Sequence, residues 1–282
     1  MSKILVCTMA ENLPFKKLTK RYIKRYADAH GFGFYYHNSQ TTLPSLKKMI
    51  RDSPGSNERL KMRASYLAAK FDLIKLAADS SDLWVVWVDG DILISKDADS
   101  IAPTLVDKNV LYGRLYFEED NFCGGRNQWV KNLKLPTNER RKATYVNTSN
   151  FAVHSDLAKR IVNEVESLVW KSVFNFSRLG FIDQDILSSV CLYSKIGLDQ
   201  FSKRIKRSLG YFHILGAVID HPRICEMASC SNERKFLVMK ALVPYLDQKE
   251  VMWKKFNEIL AHGLCSKVLS RSGLVAKGEL YE

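Results

Sequence analysis

The 282-residue chain has no apolar run long enough to span a bilayer. Its longest uncharged apolar stretches, Leu83 to Val88 and Tyr211 to Ile219, fall far short of the ~20 residues a spanning helix needs. The opening Met1-Ser2-Lys3-Ile4-Leu5-Val6 lacks the apolar core and small-residue cleavage site of a secretory signal, so the expected location is cytoplasmic. Cysteine is sparse: Cys7, Cys123, Cys191, Cys225, Cys230 and Cys265 form no Cys-x-x-Cys pair. That excludes a disulfide scaffold and predicts thiols that are mostly reduced and buried. The set His213, His221, Cys225 and Cys230 matches no zinc-finger or ribbon spacing. Repeats and low-complexity tracts are missing too, and with 46% hydrophobic residues the composition is that of a globular protein.

Acidic residues are in deficit. Lys and Arg outnumber Asp and Glu by 43 to 30, a formal charge of +13. Such a balance favours polyanionic partners without choosing among them. Nucleic acid is not expected, because no finger, RNA-recognition core or helix-turn-helix is present, and Gly31-Phe32-Gly33 precedes a strand instead of following one.

What is present is an alternation of strands and helices. Lys3 to Thr8 reads as a buried strand, and a helix follows from about Pro14 to Ala29. On that helix Lys16, Lys17, Lys20, Arg21, Lys24 and Arg25 take one half, and Phe15, Leu18, Tyr22, Tyr26 and Ala29 the other. The basic half is either a solvated face or a dock for an anionic inner membrane surface, where each cation is worth ~1 kcal/mol. Phe32 to His37 is a second strand, and Asn38 to Asn57 reads as a surface loop with a turn of helix. One long helix is expected from Glu58 to Ala78, then a strand from Leu83 to Val88 buried on both faces. Val110 to Phe117 and Tyr145 to Val153 are further strands, and Ser155 or Asp156 can cap the helix that follows. Asp183 to Leu192 reads as helix, and Leu209 to Ile219 as apolar and extended. Two helices close the chain, one capped by Ser231 and one by a capping box of Asp247 and Glu250. The expected fold class is α/β, with a mixed, mainly parallel sheet flanked by helices. The expected division is a catalytic domain over 1–219 and a helical extension over 220–282.

The most specific signal is Asp89-Gly90-Asp91, two carboxylates at the end of the most hydrophobic strand. In an extended backbone, positions i and i+2 point the same way, and in α/β sheets ligands gather beyond the carboxyl ends of strands. A divalent cation carrying a diphosphate would neutralise the pair, since Mg²⁺ takes oxygen ligands from one or two carboxylates plus phosphate. Asp-Gly is also a hairpin-turn signal. A hydrophobic strand before Asp-x-Asp also opens the haloacid dehalogenase phosphatases, with Asp89 as nucleophile, although Leu93 stands where that family has Thr or Val. A basic module binding nucleic acid or membrane without catalysis is the non-enzyme alternative. Asp183-Gln184-Asp185 has an ordinary reading as helix-start acids, and Asn147 to Asn150 as turn residues.

Taken together, these segments resemble the GT-A glycosyltransferases, families 8 and 34 above all. The helix Leu67 to Leu76, followed by Asp82 to Asp91, is similar to their sugar-nucleotide-binding heart. Tyr145 to His154 resembles the family strand that carries an Asn and small residues. Phe181 to Leu187 matches the Asp-Gln-Asp element, His213 to Gly216 the His-x-x-Gly, and Tyr26 to Gly31 the family 34 opening. The resemblance covers about residues 1–216. It implies the GT-A fold and Mn²⁺ or Mg²⁺ held by Asp89, Asp91 and His213. It assigns Thr8, Arg63, Asp89, Gly90 and Asp91 to the donor, and Asn147, Asp183 and Gln184 to the sugar and reacting centre. The implied activity is transfer of a sugar from a nucleoside diphosphate, with a UDP-sugar the implied donor, to a glycan or glycolipid acceptor with retention of configuration. One departure is plain: family 8 follows His-x-x-Gly with a lysine-bearing segment, and here Ala217-Val218-Ile219 follows.

Overall fold

The computed structural model describes residues 2–10, 13–53, 57–94, 98–117, 124–175, 181–200, 211–213 and 232–248, with positions 251, 254 and 258. In chain order the elements are β1 (Lys3–Thr8), α1 (Lys16–Ala29), β2 (Gly33–Tyr36), α2 (Pro44–Arg51), α3 (Glu58–Ala68), α4 (Lys70–Ala78), β3 (Leu83–Val88) and β4 (Ile92–Ile94). There follow β5 (Val110–Tyr116), α5 (Gly124–Asn132), α6 (Thr137–Lys142), β6 (Tyr145–His154), α7 (Ser155–Ser167), α8 (Ile182–Tyr193), β7 (Gly197–Gln200), β8 (Tyr211–His213) and α9 (Asn232–Leu242). The chain divides into two compact units, 1–7 with 37–88 and 102–201, and 8–36 with 89–101 and 202–282.

The first unit is built on strands in the order β1-β3-β6-β5-β7. β1 runs parallel to β3 and β5 to β7, while β6 is antiparallel to both β3 and β5. Four of these strands therefore share a direction and β6 opposes them: a mixed, mainly parallel sheet. β3 sits inside it because Trp84, Val85, Val86, Trp87 and Val88 are all buried, as a continuous apolar run in a two-sided sheet must be. α4 and α7 pack on each other and on β3, and α8 packs on β6. The second unit holds α1, β2, the antiparallel pair β4–β8 and α9. α1 buries Thr19, Tyr22, Ile23, Tyr26 and Ala27 and leaves Lys17, Lys20, Arg21 and Lys24 exposed; of the expected halves, Ala29 is exposed instead of buried, and Leu18, Lys16 and Arg25 are half-buried. No helix among the described residues is long and apolar enough to cross a membrane.

Three local expectations change. The helix from Glu58 to Ala78 is two helices, because at Ala69 the amide bonds the carbonyls of both Ser65 and Tyr66 and the turn tightens. The loop from Asn38 to Asn57 contains α2, whose Pro44 starts the helix and whose Leu46, Met49 and Ile50 are buried. α7 is capped by His154, which accepts from the Asp156 amide, while Ser155 exchanges hydrogen bonds with the backbone of Leu83. Asp247 pairs with Arg25 at 3.1 Å. Its expected capping partner Glu250, the Ser231 cap and most of the closing helix lie outside the described residues, as do Cys123, Cys225, Cys230, Cys265 and His221. Cys7 and Cys191 are free and buried, as expected.

Candidate functional site

In the second unit the chain leaves β3 through Asp89-Gly90-Asp91 and enters β4. Glycine is needed between the two acids for a steric reason. A Cβ on Gly90 would stand 2.6 Å from the Met9 carbonyl oxygen and 2.7 Å from the Ala10 Cβ, closer than atoms can pack. The Gly90 carbonyl accepts a short hydrogen bond from the Thr19 hydroxyl of α1. The turn is thus seated on the segment after β1 and tied to a helix, and Asp91 is only 9% exposed. This is a rigid mount and not the tip of a free hairpin.

β4 then pairs with β8, and Ile92 lies directly opposite His213. The backbone therefore brings the third expected ligand to the rung beside Asp91. The side chain of His213 is outside the described residues, and among those residues no group of three His, Cys, Asp or Glu side chains forms a metal cage. Thr8, fully buried at the end of β1, has a hydroxyl with no hydrogen-bond partner among the described residues. An orphaned buried hydroxyl is costly unless something outside the described chain satisfies it.

The first unit holds a second cluster. Asp183, 3% exposed at the start of α8, accepts the Lys70 ammonium at 2.7 Å and the Thr148 hydroxyl, both on Oδ2. Lys70 also donates to the Thr148 carbonyl at 3.0 Å and stands 5.3 Å from the centre of the Trp87 ring. Asp183 is thus an ion-pair partner and not a helix cap; the α8 cap position is Phe181, with no side-chain hydrogen bond. Asp185 accepts from the Tyr145 hydroxyl at 2.9 Å. Burial raises the Asp185 pKa to about 7, with the Asp183 charge adding to the shift and the Tyr145 bond opposing it. Lys70 therefore pairs with one of the two buried carboxyls, and the other holds its proton close to neutrality.

Asn147 stands apart from this ion pair. Its amide nitrogen donates to the Tyr116 hydroxyl at 3.2 Å and its oxygen accepts from the Ser149 amide at 2.8 Å, so Thr148, not Asn147, reaches Asp183. Gln184 is half-buried on α8, and Arg63 is exposed on α3, whose buried positions are Ala64 and Ala68. The sequence reading missed Lys70 and Thr148. A signal for Lys70 existed: it shares a helical face with Leu73, Ile74 and Ala77, all nearly fully buried, and a lysine on an apolar face calls for a buried acid. Nothing local to Thr148 marks it.

No family model and no curated protein matches the chain. Among solved structures it is similar to a glycosyltransferase involved in glycosylation of the major capsid of PBCV-1, at 16% identity and a TM-score of 0.47, over 84% of this chain and 99% of that one. It is also similar to the galactosyltransferase LgtC in complex with donor and acceptor sugar analogs, at 16% identity and a TM-score of 0.45, over 71% and 74% of the two chains. Mouse xyloside xylosyltransferase 1 matches at 10% identity and a TM-score of 0.41, over 71% and 85%.

Proposed function

We propose that the chain is a GT-A-type, metal-dependent glycosyltransferase that moves a sugar from a nucleoside diphosphate, with UDP the expected nucleotide, to a glycan or glycolipid acceptor. The observation that carries this reading is the Asp89-Gly90-Asp91 turn, seated on Met9 and Ala10 through a glycine that no other residue can replace without a clash. Two carboxylates with an imidazole from β8 are a donor set suited to Mn²⁺ or Mg²⁺, and the orphaned Thr8 hydroxyl accords with a ligand at the end of β1. When bound, the metal supplies Lewis-acid stabilisation of the negative charge that develops on the leaving diphosphate.

The chain's own residues divide the remaining work. Asp89 and Asp91 hold the cation, and His213, as neutral imidazole, completes the set. Lys70 and Thr148 fix Asp183 through Oδ2, and Oδ1 is the oxygen left to accept from a sugar hydroxyl. Gln184, next on α8, presents an amide to the reacting centre. Asn147 keeps one N–H and one lone pair for the sugar after its two intramolecular bonds. Thr8 and Arg63 are assigned to the nucleotide. Retention of configuration is part of the proposal. The exposed row Lys17, Lys20, Arg21 and Lys24 supports a peripheral contact with an anionic membrane face from the cytoplasmic side.

The test is thermal unfolding of the wild type and Asp91→Asn with UDP, GDP, CDP or ADP, in Mn²⁺ or EDTA. A ligand at 100 times its dissociation constant stabilises by ~2.7 kcal/mol, several degrees in the midpoint. The expected result is a shift with one nucleotide that needs Mn²⁺ and disappears in Asp91→Asn. No shift with any nucleotide refutes the reading.

A further inference from the structure

We infer that the first turn of α8 is a proton-held latch: protonated Asp185, bound to Tyr145, fastens the turn that carries Asp183 and Gln184 onto β6, and ionised Asp185 loosens it. The inference deepens the reading above by adding a regulation of its site. The latch itself rests on the geometry of α8, and only its effect on a donor rests on that reading. Phe181 takes the α8 cap position with no side-chain hydrogen bond and is 45% exposed, so the acids of the first turn make its attachments. The two attachments differ in kind. Asp183 has the Lys70 ammonium at 2.7 Å and the Thr148 hydroxyl, so its charge is balanced. Asp185, 6% exposed, has the Tyr145 hydroxyl at 2.9 Å, a neutral donor.

Among the described residues no cation reaches Asp185. On α4, Lys70 is bound to Asp183; on α5, Arg126 is held by the carbonyls of Arg141 and Ala143; on α7, Arg160 bonds the Ser194 carbonyl at the other end of α8. On α3, Lys61 pairs with Glu58 at 3.6 Å, Arg59 and Arg63 are exposed and Tyr66 is half-buried, and the turn Val169–Val173 carries a half-buried Lys171. A buried carboxyl without a cation favours its proton. Burial therefore moves Asp185 from 3.8 to about 7 in the closed turn, against the Tyr145 bond. In an open turn Asp185 returns to water and to the ordinary value. Between 3.8 and about 7 the closed turn holds a proton that the open one releases, so the opening constant rises ~10-fold per pH unit. Below that window both forms are protonated, and above it both are ionised, so the curve is flat at each end. The Asp185 amide donates to the Phe181 carbonyl at 2.8 Å, and that hydrogen bond reports whether the turn is closed.

The test is native-state hydrogen exchange of the Asp185 amide and of the β3 amides from pH 5 to 8.5, corrected for the intrinsic pH dependence of exchange. The expected result in the wild type is an opening constant for the turn that rises ~10-fold per pH unit and levels off above about 7. Asp185→Asn, whose oxygen can still accept from Tyr145, gives a flat curve. In Tyr145→Phe the rise continues beyond the wild-type plateau, because the Tyr145 bond favours the ionised form. The same rise in Asp185→Asn would overturn the latch. So would turn and β3 amides that share one opening constant at every pH, since the turn would then open only with the whole protein. Saturating Mn²⁺-UDP-glucose or Mn²⁺-UDP-galactose at pH 8 should slow exchange of the turn more than Mn²⁺-UDP does. Protection no greater than that of Mn²⁺-UDP overturns the regulatory role. A wild type that binds no nucleotide overturns the glycosyltransferase reading and that role with it, while the exchange curve by itself still decides the latch.

Discussion

Removing Lys70 tests the first cluster most directly. Its ammonium contacts Asp183 at 2.7 Å and the carbonyl and hydroxyl of Thr148 at 3.0 and 3.2 Å, with both side chains of the ion pair under a tenth exposed. Lys70→Met keeps the length and apolar stem of the side chain and deletes only the charge. Asp183 is then left with one hydroxyl donor, beside Asp185. Stripping one partner from a buried ion pair costs ~3–5 kcal/mol, because the remaining charge is uncompensated. Asp183→Asn costs less, ~1–3 kcal/mol, since Lys70 keeps both oxygens of Thr148. The double variant Lys70→Met/Asp183→Asn has no stranded charge, so it is more stable than Lys70→Met alone. The singles then overshoot the double by ~2–3 kcal/mol, a coupling in the range seen for groups in contact.

The assay is denaturant unfolding of the four proteins at pH 8, followed by tryptophan fluorescence, since the Trp87 ring lies against Lys70. Lys70→Met within ~1 kcal/mol of wild type, or singles that simply add, would mean that the pair is solvated and that the buried-pair argument fails.

Asp185→Asn stabilises the protein at pH 8 and not at pH 4. The raised pKa means that the folded state holds a proton the unfolded chain releases, so wild-type stability falls as pH rises from the ordinary 3.8 towards about 7, and the neutral amide avoids that loss. Unfolding curves of both proteins across pH 4 to 8 check the sign. Gly90→Ala forces the turn away from Met9 and Ala10 and costs ~1–3 kcal/mol, read as a lower melting midpoint together with weaker Mn²⁺-UDP binding. A midpoint equal to wild type would show that the turn is not seated as described. Lys17→Gln/Arg21→Gln/Lys24→Gln weakens co-sedimentation with anionic phosphatidylglycerol vesicles by ~10- to 100-fold at ~1 kcal/mol per cation, with a reduced share from Lys24 because it pairs with Asp28. Equal binding of wild type to neutral and anionic vesicles would refute the membrane contact.

Long-period signals were legible in the sequence, and contacts across the fold were not. Lys3–Thr8 and Leu83–Val88 have the bounds expected of them, because an unbroken apolar run flanked by polar residues has only one reading at that length. α2 was legible only as a turn of helix, because two turns offer only Leu46, Met49 and Ile50 as a pattern, set among turn-forming residues. The break at Ala69 was hidden because nothing in an Ala-Ala pair marks the end of a helix. Asp-Gly-Asp was readable as a site from two acids at a strand end, but the reason for its glycine was not, since Met9 and Ala10 are about eighty residues away in sequence. The same holds for Lys70, Thr148 and Asp183, which only the folded sheet and α8 bring together.

Counting charges in sequence also misleads about what each cluster can bind. Asp183-Gln184-Asp185 reads as two negative charges, yet in the fold Lys70 cancels one and burial keeps a proton on the other close to neutral pH. The cluster around α8 is then nearly neutral and rich in fixed donors and acceptors, which suits an uncharged polyhydroxylated sugar and not a phosphate. On this argument Lys70→Met should leave Mn²⁺-pyrophosphate binding unchanged while abolishing discrimination among donor sugars.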